Sequence, residues 1–355
     1  MKKLIFNLCL LSVTVNAQNL VCLEIEPNPN ITDAALSAFT KYVNVLNCFE
    51  IYAEENISDA KVLHAAAVAA ELLDNNEDGI VDDLLIKNQL AASSALMPLL
   101  AFEGSVGENT LFSNYEGEGI SAVLYNEEID PTQPGHWGSD ATVEEIIHTI
   151  NHVGHTNVYP EAFSMAPSSS LMSAAMDVAR GGQFMTIPIT YPVEAWYHYD
   201  DYTCDYECMA IEYIYWSIVS NMGILNDAET CSGIANEWEL CSPELFQSID
   251  VLMYELITNP QYLLPTNAPD GNYCPEGVGV EELLYTQVEL FPNPCENSFS
   301  INSNQVSVLN IYSINATIIY SQILQPGENN INIERLKNGI YIVLFNGNKS
   351  KLLIQ

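Results

Sequence analysis

The distribution of charge constrains this chain more than any single motif does. Between residues 18 and 285 there are 42 acidic side chains and four basic ones, Lys41, Lys61, Lys87 and Arg180. From residue 286 to 355 there are four of each. A shift of that size marks two folding units rather than one, and the Pro/Gly-rich stretch 265–279 lies just before it. In the first unit most buried acids must find partners other than lysine or arginine. The formal charge of -36 excludes a general nucleic-acid binder, because phosphate contacts need lysine and arginine. Hydrophobic residues make up 48% of the chain, which is enough to bury a core despite that charge.

Residues 1–17 read as a secretory signal peptide. Lys2 and Lys3 precede an apolar run over 4–15, and Val15-Asn16-Ala17 offers a cleavage site. The run falls short of the ~20 residues a membrane span needs, and no later stretch is long enough, so no membrane-spanning segment is expected. The cysteines agree with export. Once Cys9 leaves with the signal, eight remain: Cys22, Cys48, Cys204, Cys208, Cys231, Cys241, Cys274 and Cys295. An even number in an oxidising compartment favours disulfides. Proximity suggests Cys22–Cys48 and Cys231–Cys241, while the CxxxC spacing of Cys204 and Cys208 does not suit a zinc ribbon.

The expected fold of 18–285 is mainly α-helical, with α+β as the other option. Helical periodicity covers 32–47, 59–73, 82–99, 142–152, 169–179, 206–221 and 243–258, and 121–125 is the best strand candidate. After residue 285 the pattern changes to short β-rich runs at 306–313, 317–323, 330–333 and 339–345, punctuated by Pro-Gly and Asn-Gly. These predict a small all-β sandwich over 286–355. The tail also resembles the C-terminal sorting domain of the Bacteroidetes type IX secretion system. The resemblance rests on Phe291-Pro292-Asn293-Pro294, Leu309-Asn310-Ile311-Tyr312, Leu336-Lys337-Asn338-Gly339-Ile340-Tyr341 and Lys351-Leu352-Leu353-Ile354. It implies the type IX machinery as a partner, with passage through the periplasm and outer membrane, removal of the tail, and release or attachment at the cell surface.

Two segments carry possible chemistry. Asp74-Asn75-Asn76-Glu77-Asp78-Gly79-Ile80-Val81-Asp82 matches the front of an EF-hand-type calcium loop, with Asp74, Asn76, Asp78 and Asp82 as oxygen ligands and Gly79 at the sharp turn. Leu85 stands where a bidentate Glu normally closes the shell, and Asp83 could serve a shorter, dockerin-like loop. The other reading is a plain acidic turn.

The second segment is Glu144-Glu145-Ile146-Ile147-His148-Thr149-Ile150-Asn151-His152, with His155 close behind. On a helix Glu144, His148 and His152 share a face, and carboxylate and imidazole at that spacing form a transition-metal chelate. Glu144–His148 resembles the HExxH helix of zinc metallopeptidases, with Glu144 where the first histidine belongs. The resemblance implies zinc held by Glu144 and His148, Glu145 as general base, and a third ligand from another helix. Glu212, an acid inside the apolar run Ile211–Trp216, is the best match, with His152 in reserve. The bland reading is an amphipathic helix whose histidines are satisfied by ordinary hydrogen bonds.

Aromatics beside acids at 195–202 would suit sugar binding, and Arg180 is expected to pair with a buried acid, with Asp177 one choice, the sharper alternative being oxyanion or carboxylate recognition. The functional expectation is therefore a secreted, metal-dependent, peptidase-like hydrolase of unknown substrate, with zinc and calcium as its ions. The alternative is a non-catalytic, calcium-stabilised surface protein that keeps a peptidase-like fold.

Overall fold

A computed structural model describes residues 23–275, 290–303, 307–313, 318–345 and 348–355. The signal peptide expected at 1–17, Cys22 and the junction around 285 lie outside the described residues. The chain divides into two compact units, Met1–Val278 and Gly279–Gln355.

The first unit is built on a five-stranded mixed sheet, not on helices alone. Strands β1 (Glu26–Pro27), β2 (Lys41–Val45) and β3 (Phe49–Ala53) run antiparallel. Helices α1 (Asp59–Leu73) and α2 (Leu84–Ala92) then lead into β4 (Leu96–Leu100), and α3 (Val106–Asn114) leads into β5 (Leu124–Tyr125). Both β4 and β5 pair parallel to their neighbours, as helical crossovers require. The region expected to be helical at 32–47 is therefore turns and a strand, and the helix expected over 82–99 stops at Ala92. Val43, Val45, Ile51, Ala53, Met97 and Leu99 face the main core. Tyr42, Tyr52, Leu96 and Leu100 face a smaller core with Leu36, Phe39 and Leu111. Both faces of the sheet are thus covered, with residues alternating as strand geometry demands.

The rest of the unit is a set of helices joined by irregular segments, the longest of them running between Gly181 and Asp205. In chain order come α4 (Thr142–Thr149), α5 (Thr156–Val158), α6 (Pro160–Phe163), α7 (Leu171–Ala179) and α8 (Tyr206–Met222). They are followed by α9 (Ala228–Gly233), α10 (Pro243–Ile249) and α11 (Val251–Ile257). Between α4 and α5 the segment Ile150–His155 winds as a wider π-helical turn. Helix α1 is buried on nearly every side, from Val62 and His64 through to Leu73, and its run of alanines allows α4 to pack close. Helix α8 is likewise buried around its middle, from Tyr213 to Ser220. It starts at Asp205, whose side chain accepts from the Cys208 N–H, and stops at Gly223 (φ 77°).

Two cystine pairs lie wholly among the described residues, Cys204–Cys208 and Cys231–Cys241. Cys48 is a free, buried thiol, so the expected Cys22–Cys48 bridge does not form. Cys48 sits at the base of the β2–β3 turn, packed into the apolar core, and Cys274 is disulfide-bonded instead.

The second unit is all β. Strands β6 (Ser298–Ser303) and β9 (Gly327–Asn332) form one sheet. Strands β7 (Ser307–Tyr312), β8 (Ile318–Leu324), β10 (Gly339–Phe345) and β11 (Asn348–Ile354) form the other, in the order β11-β10-β7-β8. Phe299, Ile301 and Ile331 from one sheet share a core with Leu309, Ile311, Val343, Phe345 and Leu352 from the other. That is a small sandwich.

Candidate metal centre

Two helices converge on one point in the first unit. Helix α4 carries Glu144 and His148 one turn apart on a shared face, and α8 crosses it carrying Glu212. One ligand atom from each of Glu144, His148 and Glu212 lies within 4.8 Å of the others, and no other such group of His, Cys, Asp or Glu occurs among the described residues. His148 is 6% exposed, and its Nε2 is buried without a hydrogen-bond partner. That atom lies 3.4 Å from Glu212 Oε2. On the opposite side of the ring, Nδ1 lies 3.6 Å from Glu145 Oε2.

The electrostatics are those of an over-supplied acidic site. Burial raises the pKa of Glu144 well above the usual carboxylate range, and the neighbouring Glu212 and Glu145 add to this against the opposing pull of His148. For His148 burial works against the imidazolium, but Glu212 and Glu145 outweigh it and hold the ring well above its ordinary value. Three of the four bases in the unit are engaged elsewhere, Lys41 with Asp59 at 2.6 Å among them. Lys61 donates to the Asn126 carbonyl, and fully buried Arg180 pairs with Asp177 at 2.9 Å beneath the Tyr206 ring. Three clustered carboxylates and one imidazole, with a buried nitrogen turned toward Glu212, fit a divalent cation by the chemistry of the donor set.

The neighbourhood of α4 is fixed by a buried acid that sequence reasoning missed. Asp140, just before the helix, accepts from the backbone N–H groups of Asp130 (3.0 Å) and Gly135 (2.8 Å). It also accepts from the Thr142 hydroxyl (2.6 Å) and lies 3.0 Å from His64 Nε2 on α1. This ties the start of α4 to α1. The loop it organises forms one wall of a cleft of about 220 Å³. Glu127, Glu128, Trp137, Glu144 and Tyr215 line this cleft, so one side of the three-residue group is open to it.

Other expected residues fall elsewhere. His152 is exposed and does not join the group, because regular α-helical spacing ends at Thr149 where the π-helical turn begins. Gly154 in that turn lets α2 approach, since a Cβ there would lie 3.2 Å from Ile86. His155 is a core histidine, edge-on to Phe163 and pushed down to about 4 by burial. Glu145, expected as general base, instead lies beside the ring nitrogen facing away from Glu212. Trp196 and Tyr197 from the aromatic segment are tied into the interior through Asp250 and the Met209 carbonyl.

The Asp74 loop does join two helices as expected, but its acids mostly serve the loop itself. Asp74 accepts from Gly79 N–H (2.7 Å) and from the Tyr273 hydroxyl (2.6 Å). Asn76 accepts from Asp78 N–H, Asp78 from Ile80 N–H, and Asp82 from Asn75 N–H. Asp83 caps α2 and accepts from the Tyr159 hydroxyl.

Residues 289–355 match the family described as the secretion system C-terminal sorting domain. The tail is thus a type IX sorting domain, and the chain is an exported protein of the cell surface or extracellular space. No curated protein matches the chain. Among the described residues no helix is long and apolar enough to cross a membrane.

Proposed function

We propose that the first unit is an exported, metal-dependent hydrolase of the peptidase type, with zinc held by Glu144, His148 and Glu212. The single observation that carries this reading is their convergence, from two helices, around a buried imidazole nitrogen that faces Glu212 Oε2 at 3.4 Å. Structural packing alone gives no reason to gather acids there, because an uncompensated buried carboxylate is costly. A divalent ion would polarise a substrate carbonyl and acidify water at neutral pH. The chain's own contribution is to fix the donors: α4 and α8 set the spacing, Asp140 anchors α4, and the cleft beside Glu144 admits substrate.

A second reading is favoured by the position of Glu145. Its contact with His148 Nδ1 gives it the role of orienting the ring rather than accepting a proton from water. A centre without that base suits a non-catalytic exported protein whose fold a cation stabilises. Calcium in the Asp74 loop belongs to this reading, supported by the order of oxygen-bearing side chains between two helices.

The test is peptide cleavage by the purified exported protein against a mixed peptide library. The hydrolase reading expects cleavage that a chelator stops, that added zinc restores, and that Glu212→Gln abolishes. Zinc-loaded protein that cleaves nothing would leave the non-catalytic reading. Glu145→Gln separates the two roles of that residue. An orienting residue costs about 10–100-fold in metal affinity, whereas a base leaves affinity unchanged and costs about 10²–10⁴-fold in rate.

A further inference from the structure

The aromatic, acidic segment before α8 divides its side chains between two surroundings. Tyr197 is fully buried and gives its hydroxyl to the Met209 carbonyl. His198, Asp200 and Tyr202 instead line a pocket of about 390 Å³, which shares no lining residue with the cleft beside Glu144. The loop 187–193 forms another wall. It is held by the backbone bridge between Thr186 and Asp205 and by the Tyr191 hydroxyl, which donates to the Tyr199 carbonyl at 2.7 Å. Asn236 completes the pocket from inside the loop closed by the Cys231–Cys241 disulfide. That loop is joined to the segment where Tyr197 bridges Trp238 and the His198 N–H donates to the Glu237 carbonyl at 2.7 Å. The walls are thus fixed by their own contacts, so a ligand would not have to order them.

The chemistry of the lining selects one class of ligand. Asp200 Oδ2 accepts from Asn236 Nδ2 at 3.2 Å. That bond leaves the carboxylate its other oxygen, and the amide its carbonyl oxygen and second N–H. A carboxylate and an amide side by side can hold two neighbouring hydroxyls of one ring. Tyr202 is 77% exposed, so its ring offers a flat apolar face. The Tyr191 and His198 rings, with centroids 5.5 Å apart, add a second aromatic surface. No lysine or arginine lines the pocket, so nothing there would neutralise an anionic ligand. A wholly apolar ligand would strip water from Asp200 and Asn236 and replace none of those hydrogen bonds. A ligand with hydroxyls at its edge and C–H groups on its face meets every one of these conditions. We propose that this pocket binds a neutral saccharide, with Tyr202 against the C–H face of a sugar ring and Asp200 and Asn236 holding two adjacent hydroxyls. The site stands apart from the metal centre and does not depend on it.

The experiment is calorimetric titration of the exported protein with neutral hexasaccharides of glucose, mannose, galactose and xylose, beside hexasaccharides of glucuronic acid and glucosamine. At least one neutral hexasaccharide is expected to bind, and the charged ones are not. Tyr202→Ala and Asp200→Ala should each weaken that binding about tenfold or more. Both residues are exposed, so circular dichroism of the variants should match wild type. Phe112→Ala removes an exposed aromatic on α3 that does not line the pocket, and should leave the affinity unchanged. Chelation should also leave it unchanged, so protein that binds sugar but takes up no zinc would keep this inference and remove the metal reading. Binding of no neutral hexasaccharide, or of a charged one alone, would overturn the proposal. So would an affinity that either Tyr202→Ala or Asp200→Ala leaves as it is, or retention of mixed peptides in place of every saccharide.

Discussion

Asp140 shows what a buried acid costs and gains in a unit with four bases. It has no exposed side-chain surface and is surrounded by four donors. Burial alone would raise its pKa, but the hydrogen bonds from His64, Thr142, Gly135 and Asp130 win and hold it below the usual 3.8. A folded-state pKa that is depressed contributes stability above the unfolded value, and that stability is lost as pH falls through the depressed one. Acid unfolding should therefore steepen below about pH 4. Asp140→Asn turns an acceptor into a donor among donors and should cost about 2–4 kcal/mol, read as a lower urea midpoint at unchanged slope. Glu71 behaves oppositely. Burial pushes it up to about 7 from 4.5, although Gly271 and Asn272 N–H groups donate to it. Its contribution is complete below pH 4.5 and lost as pH rises through 7. Glu71→Gln should flatten the melting temperature across that window.

The elements differ in how far their sequences reveal them, and the reason is where each is buried. Helices α1 and α8 are marked by caps and long apolar runs, and the sequence reading places them within a residue at either end. The stop at Gly223 is checkable on its own. A Cβ there would find only ordinary contact with Pro243 at 3.6 Å, but φ is 77°, so Gly223→Ala should cost about 1 kcal/mol from backbone strain alone. Strand β4 was hidden because all five of its residues are buried, leaving no alternation to separate it from a helix. The β2–β3 hairpin was hidden because Leu46 and Asn47 make its turn at positive φ (51° and 58°) with no glycine to announce it. The candidate centre divides in the same way. Glu144 and His148 are legible because they share one helix, and Glu212 because an acid in an apolar helix stands out. Tyr215, Trp137 and Asp140 reach the site through tertiary packing, which periodicity does not encode. His152 was misplaced by extending α-helical spacing through a segment that winds as a π-helical turn.

Across the whole molecule, two units divide the work of export and of whatever is exported. The sorting domain balances its charge and builds its own sandwich core, whereas the first unit carries nearly all of the acidity. Deleting residues 289–355 should therefore leave the first unit folded but held inside the outer membrane, seen by fractionation and immunoblot; the truncated protein in the medium would contradict the sorting role. The acidity of the first unit also sets its chemistry. With three of its four bases engaged elsewhere, the role proposed for a cation is to neutralise the gathered carboxylates at α4 and α8. The most direct measurement is elemental mass spectrometry of the exported wild-type protein beside His148→Ala, both purified without added metal. The account predicts about one zinc per chain in wild type, lost in the variant. Equal metal in both proteins, or calcium alone, would contradict it and return Glu144, His148 and Glu212 to the scaffold.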